Sequence, residues 1–383
     1  MIPYGRQQIS EADIQAVVDV LRSDFLTQGP CVPAFEQALA TKVDAAHSVA
    51  FNSATSALHA ACLALELKPG DHIWTSPVSF VASANCAYYC GAKADFVDID
   101  PETLNLCPQK LRLKLEQAEA TQSLPRILIP VHFAGQPCEM AEIHRLARAY
   151  DIKIIEDASH AVGAQYRNQP VGNCQYSDIT IFSFHPVKIM TTGEGGMATT
   201  QQAGLAQKMQ SLRSHGITRD PAQMTEACHG PWYYQQLTLG FNYRMTDIQA
   251  ALGLSQLTQL DTWIQQRNQL ALMYDQHLAE LPIKGPFIRP ENLSSWHLYV
   301  IQLKDAQKRS FVFEKLREQG IGVNVHYIPI HLQPFYQAQG FRAGDFPVAE
   351  DYYHRAITLP LYPGLGSENL ARIVEKLDNL LKN

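Results

Sequence analysis

The stretch Asp178-Ile179-Thr180-Ile181-Phe182-Ser183-Phe184, followed by His185-Pro186-Val187-Lys188, decides the architecture of this 383-residue chain. Its short apolar run, rich in isoleucine, phenylalanine and threonine, is typical of a buried strand. A glycine-rich turn over residues 193–196 leads into Met197-Ala198-Thr199-Thr200, which predicts a second short strand. Lys188 is therefore expected to lie between two buried strands.

Lys188 is not placed like an ordinary lysine, which is a solvated surface charge on a flexible stem. Between two buried strands, partial loss of hydration disfavours the ammonium form and lowers the pKa of the side chain. A neutral amine in such a place attacks carbonyl groups and forms a Schiff base. We interpret Lys188 as the residue that carries the chemistry.

Composition and charge argue against several classes of protein. Hydrophobic residues make up 46% and charged residues 18% of the chain, as in ordinary globular proteins. The net charge of −6 gives no general basic surface, so no nucleic-acid partner is expected. No apolar run has the length of a membrane span or a signal peptide, which predicts a cytoplasmic protein without membrane contact. The eight scattered cysteines and the lack of a His-Glu-x-x-His pattern predict no metal site.

Strands and helices alternate along the first part of the chain. Strands are predicted at residues 48–51, 71–75, 94–99, 126–131 and 152–155, and helices at residues 79–90 and 138–150 among others. Regular alternation indicates crossover connections and an α/β fold with a mostly parallel sheet sandwiched by helices.

A change of domain is predicted inside the strongly helical residues 246–281. It separates a large domain at residues 1–255 from a smaller C-terminal α+β domain at residues 256–383 that completes a cleft. In the smaller domain, strands are predicted at residues 296–301 and 323–327.

Two further features lie at the carboxyl ends of predicted strands, where such sheets bind ligands. The turn Asn52-Ser53-Ala54-Thr55-Ser56 opens a helix whose first N–H groups and dipole suit an anion. Plain capping by serine and threonine explains the turn equally well. Asp157 either caps the next turn or pairs with a positive ring nitrogen.

An anion-binding turn, a buried acid and a Schiff-base lysine are together what pyridoxal 5′-phosphate requires. The phosphate needs a dipolar cradle, the aldehyde needs the lysine, and the ring nitrogen needs a carboxylate to stay protonated. Ser183, just before the lysine turn, is a further candidate to bind the phosphate.

Three motifs, in this order and spacing, resemble the DegT-type family of fold-type I aminotransferases that act on nucleotide-linked sugars. They are Glu156-Asp157-Ala158-Ser159-His160-Ala161, Ser183-Phe184-His185-Pro186-Val187-Lys188 and Gly240-Phe241-Asn242-Tyr243-Arg244-Met245-Thr246-Asp247. The resemblance covers essentially the whole chain and implies a fold-type I large domain, a smaller C-terminal domain and a pyridoxal-phosphate-dependent transaminase.

The resemblance also implies roles for individual residues. Lys188 holds the cofactor, Asp157 pairs with its pyridinium nitrogen, and Asn242 reaches the phosphate of the neighbouring subunit in a homodimer with shared active sites. The expected cofactor contacts are Ser53, Ala54, Phe80, Asp157, His160, Ser183 and Asn242. The candidate substrate contacts are Tyr4, Thr27, Tyr243, His326 and Tyr327.

Several of these residues have a second interpretation. Phe80 is placed to stack on the cofactor or to pack in the core. His326 is either a substrate contact or a hydrogen-bonded structural histidine. Arg213 and Arg244 are anion partners or ordinary surface or interface charges.

The fragment His185-Pro186-Val187-Lys188, followed by Thr-Thr-Gly-Glu-Gly-Gly, most resembles the pseudaminic-acid branch, the UDP-4-amino-4,6-dideoxy-N-acetyl-β-L-altrosamine transaminases. This predicts that L-glutamate donates its amino group, that pyridoxamine 5′-phosphate is the intermediate, and that C4 of a UDP-linked 4-keto-6-deoxy-N-acetylhexosamine accepts it. The alternatives are another 4- or 3-keto nucleotide sugar, for example dTDP-linked, or a non-catalytic sugar-sensing regulator.

Two other readings are set aside. Residues 193–198 fit the dinucleotide fingerprint G-x-G-x-x-A, but they lead into a strand rather than a helix. A sugar 3-dehydratase of the same family carries histidine where this chain has Lys188.

Overall fold

The computed structural model describes residues 1–382, which form a mixed α/β structure. The helices are α1 (Glu11–Leu21), α2 (Cys31–Val43), α3 (Ala54–Ala64), α4 (Ala82–Tyr89), α5 (Pro108–Thr121), α6 (Met140–Arg148), α7 (Ala203–Arg213), α8 (Asp247–Leu257), α9 (Leu260–Leu278), α10 (Arg309–Glu318), α11 (Pro334–Gln337), α12 (Pro347–Arg355) and α13 (Ser367–Lys382). The strands are β1 (His47–Phe51), β2 (His72–Thr75), β3 (Lys93–Phe96), β4 (Ile127–Ile129), β5 (Lys153–Asp157), β6 (Gln165–Tyr166), β7 (Gln169–Pro170), β8 (Ile179–Ser183), β9 (Gly196–Thr200), β10 (Ile217–Thr218), β11 (Gln235–Gln236), β12 (Ile283–Lys284), β13 (Asn292–Leu293), β14 (Tyr299–Leu303) and β15 (Ala356–Leu359).

A seven-stranded sheet with the order β1-β9-β8-β5-β4-β2-β3 forms the centre of the molecule. All neighbouring strands from β3 to β8 are parallel, and β9 runs antiparallel to both β8 and β1. The other six strands therefore point in one direction. The predicted mostly parallel sheet is confirmed.

Alternate residues of the central strands face two separate cores. In β4, Ile127 and Ile129 pack into the core that includes α3 and α4, whereas Leu128 between them packs into the core that includes α5 and α6. Because both faces are apolar, these strands read as short continuous hydrophobic runs rather than as alternating patterns.

Three strand ends and one strand start meet at the carboxyl edge of the sheet. β1, β5 and β8 end there at Phe51, Asp157 and Ser183. β9 begins at Gly196, which pairs with both Phe51 and Ser183. A Cβ atom on Gly196 would lie 2.4 Å from the backbone nitrogen of Ala54, so only glycine allows β9 to approach the start of α3 this closely.

A smaller three-stranded sheet, β12-β14-β15, packs with α9, α10 and α13 around a second apolar core. The predicted domain boundary between residues 255 and 256 lies near the end of α8 and stays a prediction.

The N-terminal segment, residues 2–8, connects this second core to α8. The N–H of Ile2 donates to the carbonyl of Gly320 at 2.8 Å, and Ile2 is buried in the second core. At the other end, the carbonyl of Gln8 accepts a hydrogen bond from Gln256 Nε2 at 2.9 Å. Gln256 Oε1 in turn accepts the N–H of Thr191, in the loop that follows Lys188.

The predicted strand at residues 323–327 is wrong. Asn324 forms only an isolated bridge with Thr358, and the rest of the segment is irregular. Asn324 Oδ1 accepts the N–H of Val325 at 2.8 Å, so a side chain takes a donor that a strand ladder needs. No helix among residues 1–382 is long and apolar enough to cross a membrane.

The contact of Gly196 with α3 can be tested by substitution. Gly196→Ala is expected to lower the free energy of unfolding by about 1–3 kcal/mol, because the added methyl group meets backbone atoms that cannot move freely. In Gly204→Ala the methyl group meets no atom within 4 Å, and this helical substitution is expected to raise stability by up to about 1 kcal/mol. Urea denaturation of both variants measures the difference, and equal stabilities would contradict the close contact.

Candidate active site

A tight turn joins β1 to α3 at the carboxyl edge of the sheet. Ser53 Oγ accepts the N–H of Ser56 at 3.1 Å, and Ser56 Oγ donates to Asn52 Oδ1 at 2.7 Å. The capping interpretation is thus correct, but it uses only one N–H group. Those of Ala54 and Thr55 have no acceptor in the described residues, so the turn can also bind an anion at the positive end of the helix.

Asp157 ends β5 and is only 4% exposed. Its Oδ1 accepts the N–H of Ser159 at 3.1 Å, which is the local turn expected from sequence. Its Oδ2 accepts a hydrogen bond from Ser83 Oγ at 2.6 Å. The two bonds fix the orientation of the carboxylate, whose charge acts on Lys188.

Glu156 points to the opposite face of the sheet, because successive strand residues alternate. Its carboxylate lies 2.8 Å from His132 Nε2 and accepts hydrogen bonds from Ser177 and Thr180. Burial alone raises the pKa of Glu156, but these hydrogen bonds outweigh burial and hold it below its ordinary value. Glu156 is therefore a fully bonded structural acid, and Asp157 is the acid of the cleft.

The loop between β8 and β9 is closed by backbone hydrogen bonds and carries Lys188. The N–H of Phe184 donates to the carbonyl of Gly195 at 2.9 Å, and the N–H of Thr192 donates to the carbonyl of Phe184 at 3.0 Å. The N–H of Lys188 donates to the carbonyl of His185 at 2.9 Å. The predicted position of the lysine between two buried strands is confirmed.

The amine of Lys188 is poorly hydrated. Burial of the amine lowers the pKa of Lys188 to about 8, although the Asp157 carboxylate acts in the opposite direction. The side chain as a whole is half-buried and makes no hydrogen bond or ion pair with the described residues. The neutral, nucleophilic form is therefore accessible near physiological pH.

Three buried histidines lie near this amine. Burial is the main cause that lowers the pKa values of His160, His297 and His326, and the charge of Lys188 adds to it. The pKa of His326 falls to about 3. All three are neutral at pH 7, so they offer hydrogen-bonding groups without adding positive charge beside Lys188.

The structure brings several predicted site residues together around Lys188. The ring of Tyr4 lies 5.4 Å from that of His326, and the hydroxyl of Tyr327 lies 3.1 Å from His160 Nε2. The ring of Phe80 lies 6.4 Å from that of Tyr327. Phe80 is 58% exposed, which decides against core packing.

His326 has partners for both ring nitrogens. Its Nδ1 lies 2.8 Å from Thr358 Oγ1, and its Nε2 lies 3.4 Å from Asn324 Nδ2. These contacts match the structural interpretation of His326, and its contact with substrate stays a prediction.

Three other predicted residues do not join this cluster within one chain. Thr27 is exposed and pairs with Thr246, and the side chain of Asn242 is exposed. The hydroxyl of Tyr243 lies 3.1 Å from Nδ1 of His59 on α3. Their roles in binding stay predictions.

The two candidate arginines differ in their surroundings. Arg213 donates to Glu36 Oε1 at 2.5 Å and to the carbonyl of Ala50 at 2.7 Å, so it is a structural cation behind β1. Arg244 has no hydrogen bond or ion pair within residues 1–382 and remains available to an anion.

Two residues of the site were missed from sequence. Ser83 touches Asp157 across 74 positions of the chain, and its one local signal is Ser79, four residues earlier in the segment before α4. His297 lies inside a predicted strand, and its ring centroid is 4.4 Å from that of His160. Residues 1–382 contain no cluster of three or more histidine, cysteine or acidic side chains that could hold a metal ion.

The chain is similar to known proteins over essentially its whole length. A model of the DegT/DnrJ/EryC1/StrS aminotransferase family matches residues 7–378. The spore coat polysaccharide biosynthesis protein SpsC of Bacillus subtilis is 38% identical over 387 residues, which cover 100% of this chain and 97% of SpsC.

Two solved structures are similar over the full chain. PseC of Helicobacter pylori, an aminotransferase involved in the biosynthesis of pseudoaminic acid, has a TM-score of 0.91 at 31% identity and covers 100% of this chain and 99% of its own. The sugar aminotransferase Spr1654 of Streptococcus pneumoniae, in its PMP form, gives the same TM-score, identity and coverage.

The lowered pKa of Lys188 predicts how the cofactor-free protein reacts with pyridoxal phosphate. Only the neutral amine attacks the aldehyde, so the rate should rise with pH and reach half its limit near pH 8 rather than above pH 10. In Asp157→Asn, which lacks the carboxylate that raises this pKa, the midpoint should move to lower pH.

Stopped-flow absorbance over a pH series measures this rate, and Lys188→Ala should lack the fast phase. A midpoint that stays near that of free lysine would contradict the burial of the amine.

Proposed function

The chain belongs to the DegT/DnrJ/EryC1/StrS aminotransferase family and is a pyridoxal-phosphate-dependent sugar aminotransferase, and we propose a UDP-linked 4-keto-6-deoxy-N-acetylhexosamine as its amino acceptor. L-Glutamate is the proposed donor. The proposed product is UDP-4-amino-4,6-dideoxy-N-acetyl-β-L-altrosamine, which places the enzyme in pseudaminic acid synthesis.

The acceptor is proposed from the segment around the lysine. The sequence His185-Pro186-Val187-Lys188 resembles the pseudaminic-acid branch, and the likeness to PseC at a TM-score of 0.91 over the whole chain supports the same branch.

The residues at the carboxyl edge of the sheet fit pyridoxal phosphate. Ala54 and Thr55 offer free N–H groups, and Gly196 leaves the space beside them open, because it has no Cβ atom. Asp157 presents a fixed carboxylate and Lys188 a poorly hydrated amine on the same edge. When bound, this cofactor supplies an aldehyde for the amino group and an electron-accepting ring that acidifies the neighbouring C–H bond.

Each cofactor group has proposed partners in the chain. We assign the phosphate to Ser53, Ala54 and Ser183, and the ring nitrogen to Asp157. The exposed ring of Phe80 would cover one face of the cofactor. His160, neutral and bonded to Tyr327, lies along the same wall of the cleft.

Lys188 is the proposed proton carrier. With a pKa of about 8, its Nζ atom can both accept a proton from a substrate carbon and return it near neutral pH. The neutral histidines beside it do not repel the ammonium form that results. The Asp157 carboxylate stabilises that form.

The sugar is expected to bind on the side of the smaller domain. Tyr4, His326 and Tyr327 lie together there and offer hydroxyl groups and aromatic faces to a hexose. Thr27, which pairs with Thr246, and Tyr243 lie instead with the segment that follows Asn242.

The segment around Asn242 supports a homodimer with shared sites. Asn242 precedes Tyr243, whose carbonyl accepts the N–H of Asn52 at the phosphate turn. Trp232 and Leu239 in the preceding segment are 74% and 76% exposed. Large apolar side chains that are exposed together usually mark a protein–protein interaction site. A second copy that covers them brings its Asn242, Thr27 and Tyr243 to the neighbouring cleft.

A dTDP-linked or 3-keto sugar is the second candidate acceptor. Its support is that the chain is 38% identical to SpsC, which is named for spore coat polysaccharide synthesis and not for pseudaminic acid, against 31% to PseC. A non-catalytic sugar sensor is disfavoured, because the chain keeps both Lys188 and Asp157.

A substrate screen tests the acceptor. Enzyme treated with L-glutamate and freed of excess donor is mixed with UDP- and dTDP-linked 4-keto and 3-keto sugars, and the aminated product is measured by mass spectrometry. We expect the UDP-linked 4-keto-6-deoxy-N-acetylhexosamine to react fastest. Lys188→Ala should lower turnover by at least about 10²–10⁴-fold, since the proton carrier is missing. A faster dTDP-linked acceptor would overturn the assignment.

Hybrid dimers test the shared site. Lys188→Ala and Asn242→Ala subunits are each expected to form impaired homodimers. A hybrid of the two has one site with both native residues if Asn242 acts across the interface, so mixing should restore activity. Activity assays of co-expressed, separately tagged subunits measure this. No restoration would place Asn242 in its own subunit's site or outside the site.

A further inference from the structure

A chain of hydrogen bonds leads from the segment before α4 to Asp157. Ser79 Oγ lies 2.7 Å from Ser83 Oγ, and Ser83 Oγ lies 2.6 Å from Asp157 Oδ2. A carboxylate can only accept, so the single proton of Ser83 points to Asp157. The proton between the two serines must then come from Ser79. All three side chains are buried.

Asp157 is thereby held at both oxygens. Ser83 binds Oδ2 and the N–H of Ser159 binds Oδ1, which prevents rotation of the carboxylate about its bond to Cβ. A carboxylate offers about four acceptor positions, so two are left for other partners. Hydrogen bonds to an ionised acceptor are stronger than those between neutral groups.

The same short segment also carries Phe80. Ser83 Oγ lies 3.3 Å from the carbonyl of Phe80, and Phe80 lies between the two serines in sequence. The position of the aromatic ring and the orientation of the carboxylate therefore depend on one turn, residues 79–83.

We propose that Ser83 is a positioning residue of the amino-transfer reaction, which holds the Asp157 carboxylate toward the ring nitrogen of the cofactor while Ser79 supports Ser83. This inference rests on the proposed role of Asp157. Ser83 acts through the carboxylate and does not touch the reacting atoms.

The test compares three serine-to-alanine variants. Ser83→Ala removes the bond to Asp157, and Ser79→Ala removes only its support. Ser76→Ala is the control, because Ser76 is equally buried and bonds only to Val78. Thermal unfolding of each variant shows how far the fold is affected.

Three quantities are measured: cofactor affinity, the limiting rate of the half-reaction with L-glutamate, and the KM for L-glutamate. Ser83→Ala should lower the rate by about 10–100-fold, the usual value of a hydrogen bond to a charged group. Its cofactor affinity should fall while its KM for L-glutamate stays near that of Ser76→Ala, because Ser83 acts on the Asp157 carboxylate and does not touch the donor. Ser79→Ala should show a smaller effect in the same direction, about two- to tenfold.

Other outcomes overturn the proposal or its premise separately. If Ser83→Ala keeps the limiting rate and cofactor affinity of Ser76→Ala and loses only thermal stability, the serine is structural and the proposal is wrong. Asp157→Asn is measured in parallel. If that variant keeps the native rate, the role of Asp157 itself fails. If it loses the rate while Ser83→Ala keeps it, only the positioning role fails.

Discussion

The close contact between Gly196 and the first residue of α3 is the constraint on which the active-site edge depends. It lets the single antiparallel strand, β9, lie between β1 and β8, so the ends of both strands reach the same place. The loop that carries Lys188 connects Ser183, at the end of β8, to Gly196, at the start of β9, so the sheet fixes both ends of the loop. The phosphate turn, the lysine loop and the strand start are thus one packed unit.

Two opposing effects set the pKa of the Lys188 amine in the cleft. Loss of hydration favours neutral Lys188, and the carboxylate of Asp157 favours the ammonium form. Loss of hydration is the larger effect and brings the pKa of Lys188 to about 8, so both forms are accessible near neutral pH. The surrounding histidines stay neutral and add no third charge, which leaves Asp157 as the charged partner that sets the balance.

The sequence was sufficient for much of the fold and for the residues that lie in local motifs. Buried parallel strands show as apolar runs; Asp157 ends one such run, and Lys188 lies in the loop after another. Helices α5 and α7 were not predicted, and the strand at residues 323–327 was predicted wrongly because the side chain of Asn324 takes the backbone donor of Val325. Ser83 and His297 could not be found by spacing, because their partners are brought to them only by the tertiary fold.

The N-terminal segment has a consequence for synthesis of the protein. Ile2 is bonded to Gly320 and buried in a core built from the last third of the chain. During translation from the N-terminus, this contact cannot form until more than 300 later residues have been made. Ile2 is thus among the last residues to reach its native contacts, and its apolar side chain stays without its native partners while the intervening residues are made.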